Sequence, residues 1–202
     1  SRLAMADRAQ YLADPDFVQP PAGSWSSLLA PAYLAQRAAL IGPQSMKVAQ
    51  PGQPGGARAA HAPMPEQPEF GTSHISIVDG RGNALAMTTT INTHWGAHIE
   101  AAGMMLNNAM SNFSASAGSD VNGYAPNRRP RSSIAPSIAF DEKGRVRLVW
   151  GAAGGGPIPD YIIKTFLGNV VYGMDMQATL NAPNWTGQNG VAELEANTAF
   201  GN

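Results

Sequence analysis

The sequence of 202 residues contains no cysteine. Disulfide bonds, thiolate metal sites and cysteine nucleophiles are therefore excluded, and the absence fits a reducing or an oxidising compartment equally well. Charge is also scarce, since only 13% of the residues are charged and 13 basic residues nearly balance 14 acidic ones. The formal net charge of -1 gives no long-range field that would attract nucleic acid or an anionic bilayer.

Long hydrophobic runs are missing as well, because no stretch reaches the roughly 18 apolar residues that span a bilayer. The first 20 residues carry charges throughout, at Arg2, Asp7, Arg8, Asp14 and Asp16. A secretory leader has a basic start and an apolar centre instead, so we expect no signal peptide in this segment.

Glycine and proline are abundant, with 22 and 16 residues, yet they fall short of the roughly 25–30% that is typical of low-complexity chains. The length is enough for one domain of ordinary size with a buried core. We therefore expect a folded chain with many loops.

Two helices are predicted near the start of the chain. Residues 3–13 form the first, which ends at Asp14 because the following proline disfavours helical backbone there. Residues 31–41 form the second, with a proline in the first turn and Gly-Pro after the end. Prolines and glycines then dominate residues 42–70, which we interpret as a mobile or extended linker.

After the linker the apolar residues alternate, which predicts two β-hairpins. The first pairs residues 73–79 with 84–91 around a Gly-Arg-Gly-Asn turn, and the second pairs residues 134–140 with 145–150. A broad apolar face over residues 159–172 predicts a helix that glycine closes. Strands followed by helices without regular alternation favour a layered α+β fold.

A glycine-rich loop, GAAGGGP at 151–157, lies between the last predicted strand and this helix. Backbone N–H groups at such a position can converge on an anion. The loop lacks the Lys-Ser/Thr ending of a phosphate loop. Two interpretations stay open: a tight turn, or a cradle for an oxyanion or carboxylate.

His94 and His98 are four residues apart, and on a helix this spacing would present two imidazoles to zinc. The Trp95-Gly96 pair between them argues against a stable helix, so ordinary loop histidines are the favoured interpretation. We expect no metal and no organic cofactor.

Arg128, Arg129 and Arg131 form a short basic run. Their guanidinium groups suit a carboxylate ligand, and they equally suit an ion-paired or solvated loop. Composition alone leaves the two alternatives open.

The junction between Gly71 and Thr72 joins the flexible linker to the first strand. A threonine hydroxyl is a weak nucleophile unless a base lies beside it, and the α-amino group of Thr72 becomes such a base if the chain is cut before it. Glycine at 71 lets the scissile peptide distort, because it has no side chain that resists unusual backbone angles. Ser and Thr are nevertheless common before strands.

Several blocks of the sequence resemble the γ-glutamyltransferase family in order and spacing. Four blocks match its small subunit and one matches the end of its large subunit. They are TSHISIVDGRGNALAMTTTIN (72–92), GMMLNNAMSNFS (103–114), PNRRPRSSIAPSI (126–138), GAAGGG (151–156) and, for the large subunit, ADRAQYLADPDFV (6–18).

This resemblance implies an N-terminal nucleophile hydrolase with an αββα sandwich, of which the chain is a central fragment. It implies a precursor that cuts itself between Gly71 and Thr72 and then attacks an amide such as the γ-glutamyl bond of glutathione. Residues 1–71 would be the end of the large subunit, and residues 72–202 a small subunit that is incomplete at its C-terminus. The remaining large-subunit segment would be a partner, and the location would be periplasmic or extracellular.

Carried over by position, Thr72 is similar to the nucleophile and Thr90 to the threonine that helps to activate it. The other matched positions are similar to groups that contact substrate or stabilise the oxyanion. Asn92, Asn112, Ser132 and Ser133 would hold the substrate, and the N–H groups of Gly154 and Gly155 would bind the oxyanion.

The sequence departs from the family where an acceptor and an acid usually hold the substrate's α-ammonium group. Here those positions are Ala109 and Asn112. The lost charge-assisted hydrogen bond is worth about 1.5–3 kcal/mol, so γ-glutamyl specificity is in question. A glutaryl or cephalosporin-type acylase is one alternative, and an unprocessed, non-catalytic homologue is another.

Overall fold

A computed structural model describes residues 1–64, 71–114, 120–190 and 192–199. Residues 65–70 of the predicted linker lie outside this range. The chain divides into two compact units that are each discontinuous in sequence. Unit 1 comprises Ser1–Gln67, Met110–Ser132 and Gly187–Val191, and unit 2 comprises Pro68–Ala109, Ser133–Thr186 and Ala192–Asn202. Within the described ranges, no helix has the length and apolar character needed to cross a membrane.

Unit 1 contains both predicted N-terminal helices. Helix α1 spans Arg2–Tyr11 and helix α2 spans Pro31–Ala38, which confirms the two predictions apart from their C-terminal ends. Helix α1 ends at Tyr11, because Leu12 adopts extended backbone two residues before Asp14, where the Asp-Pro pair predicted the end. Short 3-10 turns lie at Pro21–Gly23, Trp25–Leu29 and Pro54–Gly56.

The described part of the predicted linker, residues 42–64, is irregular apart from one 3-10 turn and an isolated β-bridge between Ala62 and Asp120, as its composition indicated. It is tied to α1 at Gly52, however, and is not simply extended. The Gly52 N–H donates to the Asp7 carboxylate (2.7 Å), and the Tyr11 hydroxyl donates to the Gly52 carbonyl (2.5 Å). Asp7 also accepts from the Tyr33 hydroxyl (2.8 Å) and pairs with Arg37. This buried carboxylate therefore joins α1, α2 and the linker.

Unit 2 begins with the first predicted hairpin. Strand β1 (Ser73–Val78) pairs antiparallel with strand β2 (Ala84–Thr89), so the prediction is confirmed with slightly shorter strands. The turn is closed by a hydrogen bond from the Asp79 N–H to the Asn83 carbonyl (3.0 Å). Strands β3 (Glu100–Ala101) and β4 (Met104–Met105) form a further small hairpin that the sequence pattern did not predict.

The second predicted hairpin is also confirmed, as strands β5 (Ser137–Phe140) and β6 (Val146–Trp150). Both strands of the first hairpin contact β6. Helix α3 follows the glycine loop over Ile158–Phe166 and continues as a π-helical turn over Leu167–Val171. The predicted helix is therefore present, with a change of type in its last turn.

After α3, unit 2 contains only short elements among the described residues. Helix α4 spans Met176–Asn181, and strand β7 (Trp185–Thr186) pairs with strand β8 (Glu193–Leu194). Over the described residues the strands pair in four two-stranded sheets. The mixture of helices and strands confirms the α+β class, while the αββα layering stays a prediction.

Candidate active site

Thr72 lies immediately before β1 and is half-buried. The hairpin register pairs Ser73 with Thr89, and one further step along it brings Thr90 opposite Thr72. A cleft of about 500 Å³ opens beside these residues. Its lining comprises Gly71, Thr72, Ser73, Thr89, Thr90, Ile91, Thr93, His94 and Trp95.

The Thr90 hydroxyl contacts the peptide that precedes Thr72. It donates a hydrogen bond to the Gly71 carbonyl oxygen. It also accepts a hydrogen bond from the Asn92 N–H (2.8 Å), which orients its proton towards Gly71. The chain therefore places a donor on the carbonyl of the predicted scissile bond, where negative charge would develop if that carbon were attacked.

Glycine suits position 71 by its backbone conformation, and little room is left there for a side chain. Its φ of 89° lies in the region that L-residues disfavour. A Cβ at this position would also lie 3.2 Å from the Asn92 carbonyl oxygen and 3.2 Å from the Thr93 carbonyl carbon. The backbone after β2 therefore packs closely against the predicted scissile peptide.

Asn108 holds this segment of backbone in place. Its side-chain oxygen accepts from the Thr93 N–H (3.1 Å), and its own N–H donates to the Ile91 carbonyl (3.2 Å). Its carbonyl accepts from the Asn92 side chain (3.4 Å). Sequence reasoning missed Asn108, because its partners lie some 15 residues earlier in the chain.

His94 and His98 lie in turns between β2 and β3 and not on a helix, so the loop interpretation of the pair is confirmed. His98 has a φ of 56° and Trp95 a φ of 64°, both incompatible with a regular helix. In the described part of the chain, no group of three or more His, Asp or Glu residues is arranged to hold a metal ion.

The glycine loop after β6 has the backbone of a tight, left-handed turn. Gly154 has a φ of 125° and Gly155 a φ of 67°. Neither of their N–H groups donates to an acceptor in the residues that the structure describes. The Gly155 carbonyl instead accepts from the Ile158 N–H (3.1 Å), which joins the loop to the start of α3. Both glycines lie outside the lining of the cleft beside Thr72.

The residues predicted to hold substrate are divided between the units. Asn92 and Ser133 belong to unit 2 and are buried, and the Asn92 side chain is engaged by Asn108. Asn112 and Ser132 belong to unit 1. The Asn112 carbonyl accepts from the fully buried Asn122 side chain (2.7 Å). Substrate contact by these four residues stays a prediction.

The arginine run is bound within unit 1. Arg129 pairs with Asp14 and Asp16, each at 2.6 Å, so the ion-paired interpretation is confirmed for this residue. Hydrogen bonds from the Arg129 side chain and backbone hold the pKa of Asp14 well below its usual value. Arg128 donates to the Gly123 carbonyl (2.7 Å), and Arg131 to the Arg8 carbonyl (3.1 Å).

The sequence of this chain is similar to a family of known enzymes. A family model described as gamma-glutamyltranspeptidase matches residues 1–202. The chain is 35% identical to the glutathione hydrolase proenzyme of Escherichia coli (strain K12), over 98% of this chain and 34% of that protein. It is 34% identical to the acylase ACY 1 proenzyme of Pseudomonas sp. (strain SE83), over 96% of this chain and 32% of that protein. It therefore spans about a third of the length of these relatives.

Solved structures agree with the sequence comparison. The gamma-glutamyltranspeptidase from Pseudomonas nitroreducens matches with a TM-score of 0.53 and 32% identity, over 56% of this chain and 64% of that chain. The class to which these structures belong is that of the N-terminal nucleophile hydrolases. Because the family model spans the whole chain, the chain belongs to the gamma-glutamyltranspeptidase family.

Proposed function

We propose that this chain is the central segment of a self-processing precursor that becomes an amide hydrolase or acyl transferase with Thr72 as its nucleophile. The observation that carries the proposal is the Thr90 hydroxyl, which donates to the Gly71 carbonyl while the Asn92 N–H donates to Thr90. In this proposal residues 1–71 are the end of the large subunit and residues 72–202 are the beginning of the small subunit. The complete enzyme has the αββα sandwich fold and acts in the periplasm or outside the cell.

In the first reaction the Thr72 Oγ attacks the Gly71 carbonyl carbon. The Thr72 hydroxyl proton passes to the amide nitrogen as the C–N bond breaks, which leaves Gly71 as an ester on Thr72. Thr90 stabilises the negative charge on the Gly71 oxygen during this step. Breaking the C–N bond frees the Thr72 amine, and water then hydrolyses the ester to release a Gly71 carboxylate and restore the Thr72 hydroxyl.

In the second reaction the free Thr72 amine accepts the proton of Thr72 Oγ as this oxygen attacks the amide carbonyl of the substrate. The proton is passed to the leaving amine, and the acyl group remains as an ester on Thr72. The N–H groups of Gly154 and Gly155, which have no described acceptor, are the donors for the oxyanion. Water or an amino acid then takes up the acyl group.

The acyl donor is either a γ-glutamyl amide or an acyl amide without the α-amino group. The match to a glutathione hydrolase supports the first, and the match to an acylase supports the second. Ala109 supplies no side-chain acceptor for an ammonium group, and Asn112 supplies no negative charge, so both favour the des-amino substrate. Parallel assays of γ-glutamyl anilide and glutaryl anilide separate the two, and a strong preference for the former would contradict this interpretation of Ala109 and Asn112.

The test of the proposal uses the complete precursor with Thr72→Ala, Thr72→Ser and, as a control on a neighbouring hydroxyl, Ser73→Ala. We expect Thr72→Ala to remain one chain without amide hydrolysis, Thr72→Ser to retain part of both activities, and Ser73→Ala to behave like the wild type. Two fragments and undiminished hydrolysis from Thr72→Ala would refute the proposal.

A further inference from the structure

Gly151 opens the glycine loop, and the structure requires a glycine there for space. A Cβ at Gly151 would lie 2.3 Å from both Cε1 and Nδ1 of His74. The φ of Gly151 is not in the left-handed region, in contrast to Gly154 and Gly155. The His74 imidazole therefore lies directly against the backbone at the start of the loop.

The His74 ring is itself held on both sides. Its Nδ1 is 2.8 Å from the Thr88 hydroxyl on the paired strand, and its Nε2 is 3.0 Å from the Ser76 hydroxyl on the same strand. A hydroxyl donates or accepts as needed, so a neutral ring in either tautomer satisfies both contacts. Burial lowers the pKa of His74, which keeps the ring neutral near pH 7.

His74 lies on the strand that follows Thr72 and contacts the glycine loop of the candidate site. His74 follows Thr72 by two residues, so strand alternation puts both side chains on one face of the hairpin. Gly151 precedes Gly154 by three residues in the same loop. One close contact between half-buried residues therefore joins the strand that follows the proposed nucleophile to the loop that carries the proposed oxyanion donors.

We infer that His74 is a positioning residue that sets the separation between the Thr72 hydroxyl and the N–H groups of Gly154 and Gly155. The inference rests on the proposed function and adds to it a residue that touches neither substrate nor the reacting atoms. A displacement of about 1 Å between reacting groups costs on the order of 100-fold in rate, so a contact that fixes this spacing acts on turnover.

The rate of self-cleavage is a reference that distinguishes a defect in positioning from a defect in folding. The carbonyl attacked in that step, that of Gly71, is bound by Thr90 within the hairpin, and its stabilisation does not need the glycine loop. A change at the contact between His74 and Gly151 should therefore slow amide hydrolysis and leave cleavage at Thr72 close to the wild-type rate. A general defect in folding would slow both reactions.

The experiment compares Gly151→Ala, His74→Ala and the double variant in the complete, processed enzyme. We expect Gly151→Ala to lower kcat on the order of 100-fold with little change in KM, because the added methyl group displaces the loop. His74→Ala should lower kcat roughly 10-fold by releasing the loop. In the double variant the methyl group occupies space that the ring has vacated, so its loss should be smaller than the product of the two single losses.

Two further variants keep the test decisive if Gly151→Ala does not fold. Thr88→Val removes one hydrogen bond to the ring at nearly constant size, and we expect kcat to fall by roughly 3- to 10-fold. Gly168→Ala is the control for steric overlap, since its Cβ would lie 2.6 Å from the Thr179 methyl group elsewhere in unit 2. It should lower thermal stability without lowering kcat.

The outcomes separate this inference from the proposed function. Any of three results would overturn the positioning role alone. The first is a wild-type kcat in both His74→Ala and Thr88→Val, and the second is a loss in the double variant equal to the product of the two single losses. The third is equal slowing of self-cleavage and amide hydrolysis. Wild-type hydrolysis that persists after Thr72→Ala would overturn the proposed function, and the positioning role with it.

Discussion

Thr90 is the residue whose contacts give the most definite expectation for self-cleavage. Its hydroxyl is the donor to the Gly71 carbonyl, and replacing it with a methyl group removes the charge stabilisation at that oxygen. We expect Thr90→Val to slow cleavage of the Gly71–Thr72 bond by on the order of 100-fold or more, as for other oxyanion donors. The rate is measured by gel electrophoresis of freshly expressed precursor over time.

Two controls accompany this prediction. Thr90→Ser keeps the hydroxyl and should be processed at a rate close to the wild type. Thr89→Val removes a hydroxyl from the adjacent position, whose side chain points to the other face of the hairpin. A Thr90→Val precursor that matures as fast as Thr89→Val would show that the hydrogen bond to Gly71 has no part in cleavage.

Gly71 itself carries a second prediction at this scale. Alanine at a φ of 89° is strained and its methyl group would press on the backbone of Asn92 and Thr93. We expect Gly71→Ala to change the rate of self-cleavage while leaving amide hydrolysis by already processed enzyme unaffected, since residue 71 would separate from the proposed nucleophile at the proposed cut. An altered kcat in the mature Gly71→Ala enzyme would contradict the assignment of the scissile bond.

Among single residues, the sequence singled out Thr72 and Thr90 because the family resemblance matches them position by position, and their catalytic roles stay predictions. It did not find His74 or Asn108, whose importance depends on partners distant in the chain. His74 meets Gly151, 77 residues later. The only sequence signal for this contact was a glycine directly after a strand, which many turns share.

A buried hydrogen bond links helix α3 to strand β7. The Thr186 hydroxyl donates to the Asp160 carboxylate (2.7 Å), and both residues are almost fully buried. Thr186→Val leaves a carboxylate oxygen without this donor, and we expect the free energy of unfolding to fall by about 1–3 kcal/mol. Urea denaturation followed by circular dichroism measures the change.

Thr186→Ser is the matched variant because it keeps the donor and loses only a methyl group. It should be clearly more stable than Thr186→Val. Equal stabilities of the two variants would show that the hydroxyl contributes nothing to the attachment of β7.

At the scale of elements, the longer helices and strands were predictable because each shows several turns or alternations of its own period. Strands β3 and β4 have two residues each, too few to display a period. The π-helical turn after α3 was also missed, since its residues continue the apolar face of the helix. The contact of β6 with the first hairpin depends on tertiary packing, and no local pattern encodes it.

Unit 1 should hold the two fragments together after the proposed cleavage. This unit contains residues from before and after the proposed cut. Asp14 pairs with Arg129 across that division, and the Val121 N–H donates to the Ala62 carbonyl (3.2 Å). We expect the two fragments to stay associated after cleavage and to elute together in size-exclusion chromatography.

Removing this ion pair should weaken the association of the fragments. Asp14→Asn removes the negative charge opposite Arg129. Asp141→Asn is the control, because it removes an exposed ion pair with Arg145 within one hairpin. We expect fragments to separate at a lower urea concentration in Asp14→Asn than in Asp141→Asn. Identical separation of the two variants would contradict the role given to Asp14.

The same pair predicts a dependence on pH. The folded pKa of Asp14 is lower than its ordinary value of about 3.9, so the unfolded chain binds more protons once the pH falls below about 4. The stabilisation is complete above that pH and is lost as the pH falls towards the folded pKa. The difference in stability between wild type and Asp14→Asn should therefore shrink on acidification from pH 5 to about pH 3. A difference that grows over this range would contradict the assignment.

The proposed break before Thr72 would leave that threonine as the first residue of the mature fragment, so the decisive measurement is the N-terminal sequence of that fragment. Edman degradation or mass spectrometry of the purified complete protein should find a fragment that starts Thr-Ser-His-Ile, beginning at Thr72. An active protein whose Gly71–Thr72 bond stays intact after prolonged incubation, or whose fragment begins at another residue, would rule out Thr72 as the self-cleavage residue and nucleophile.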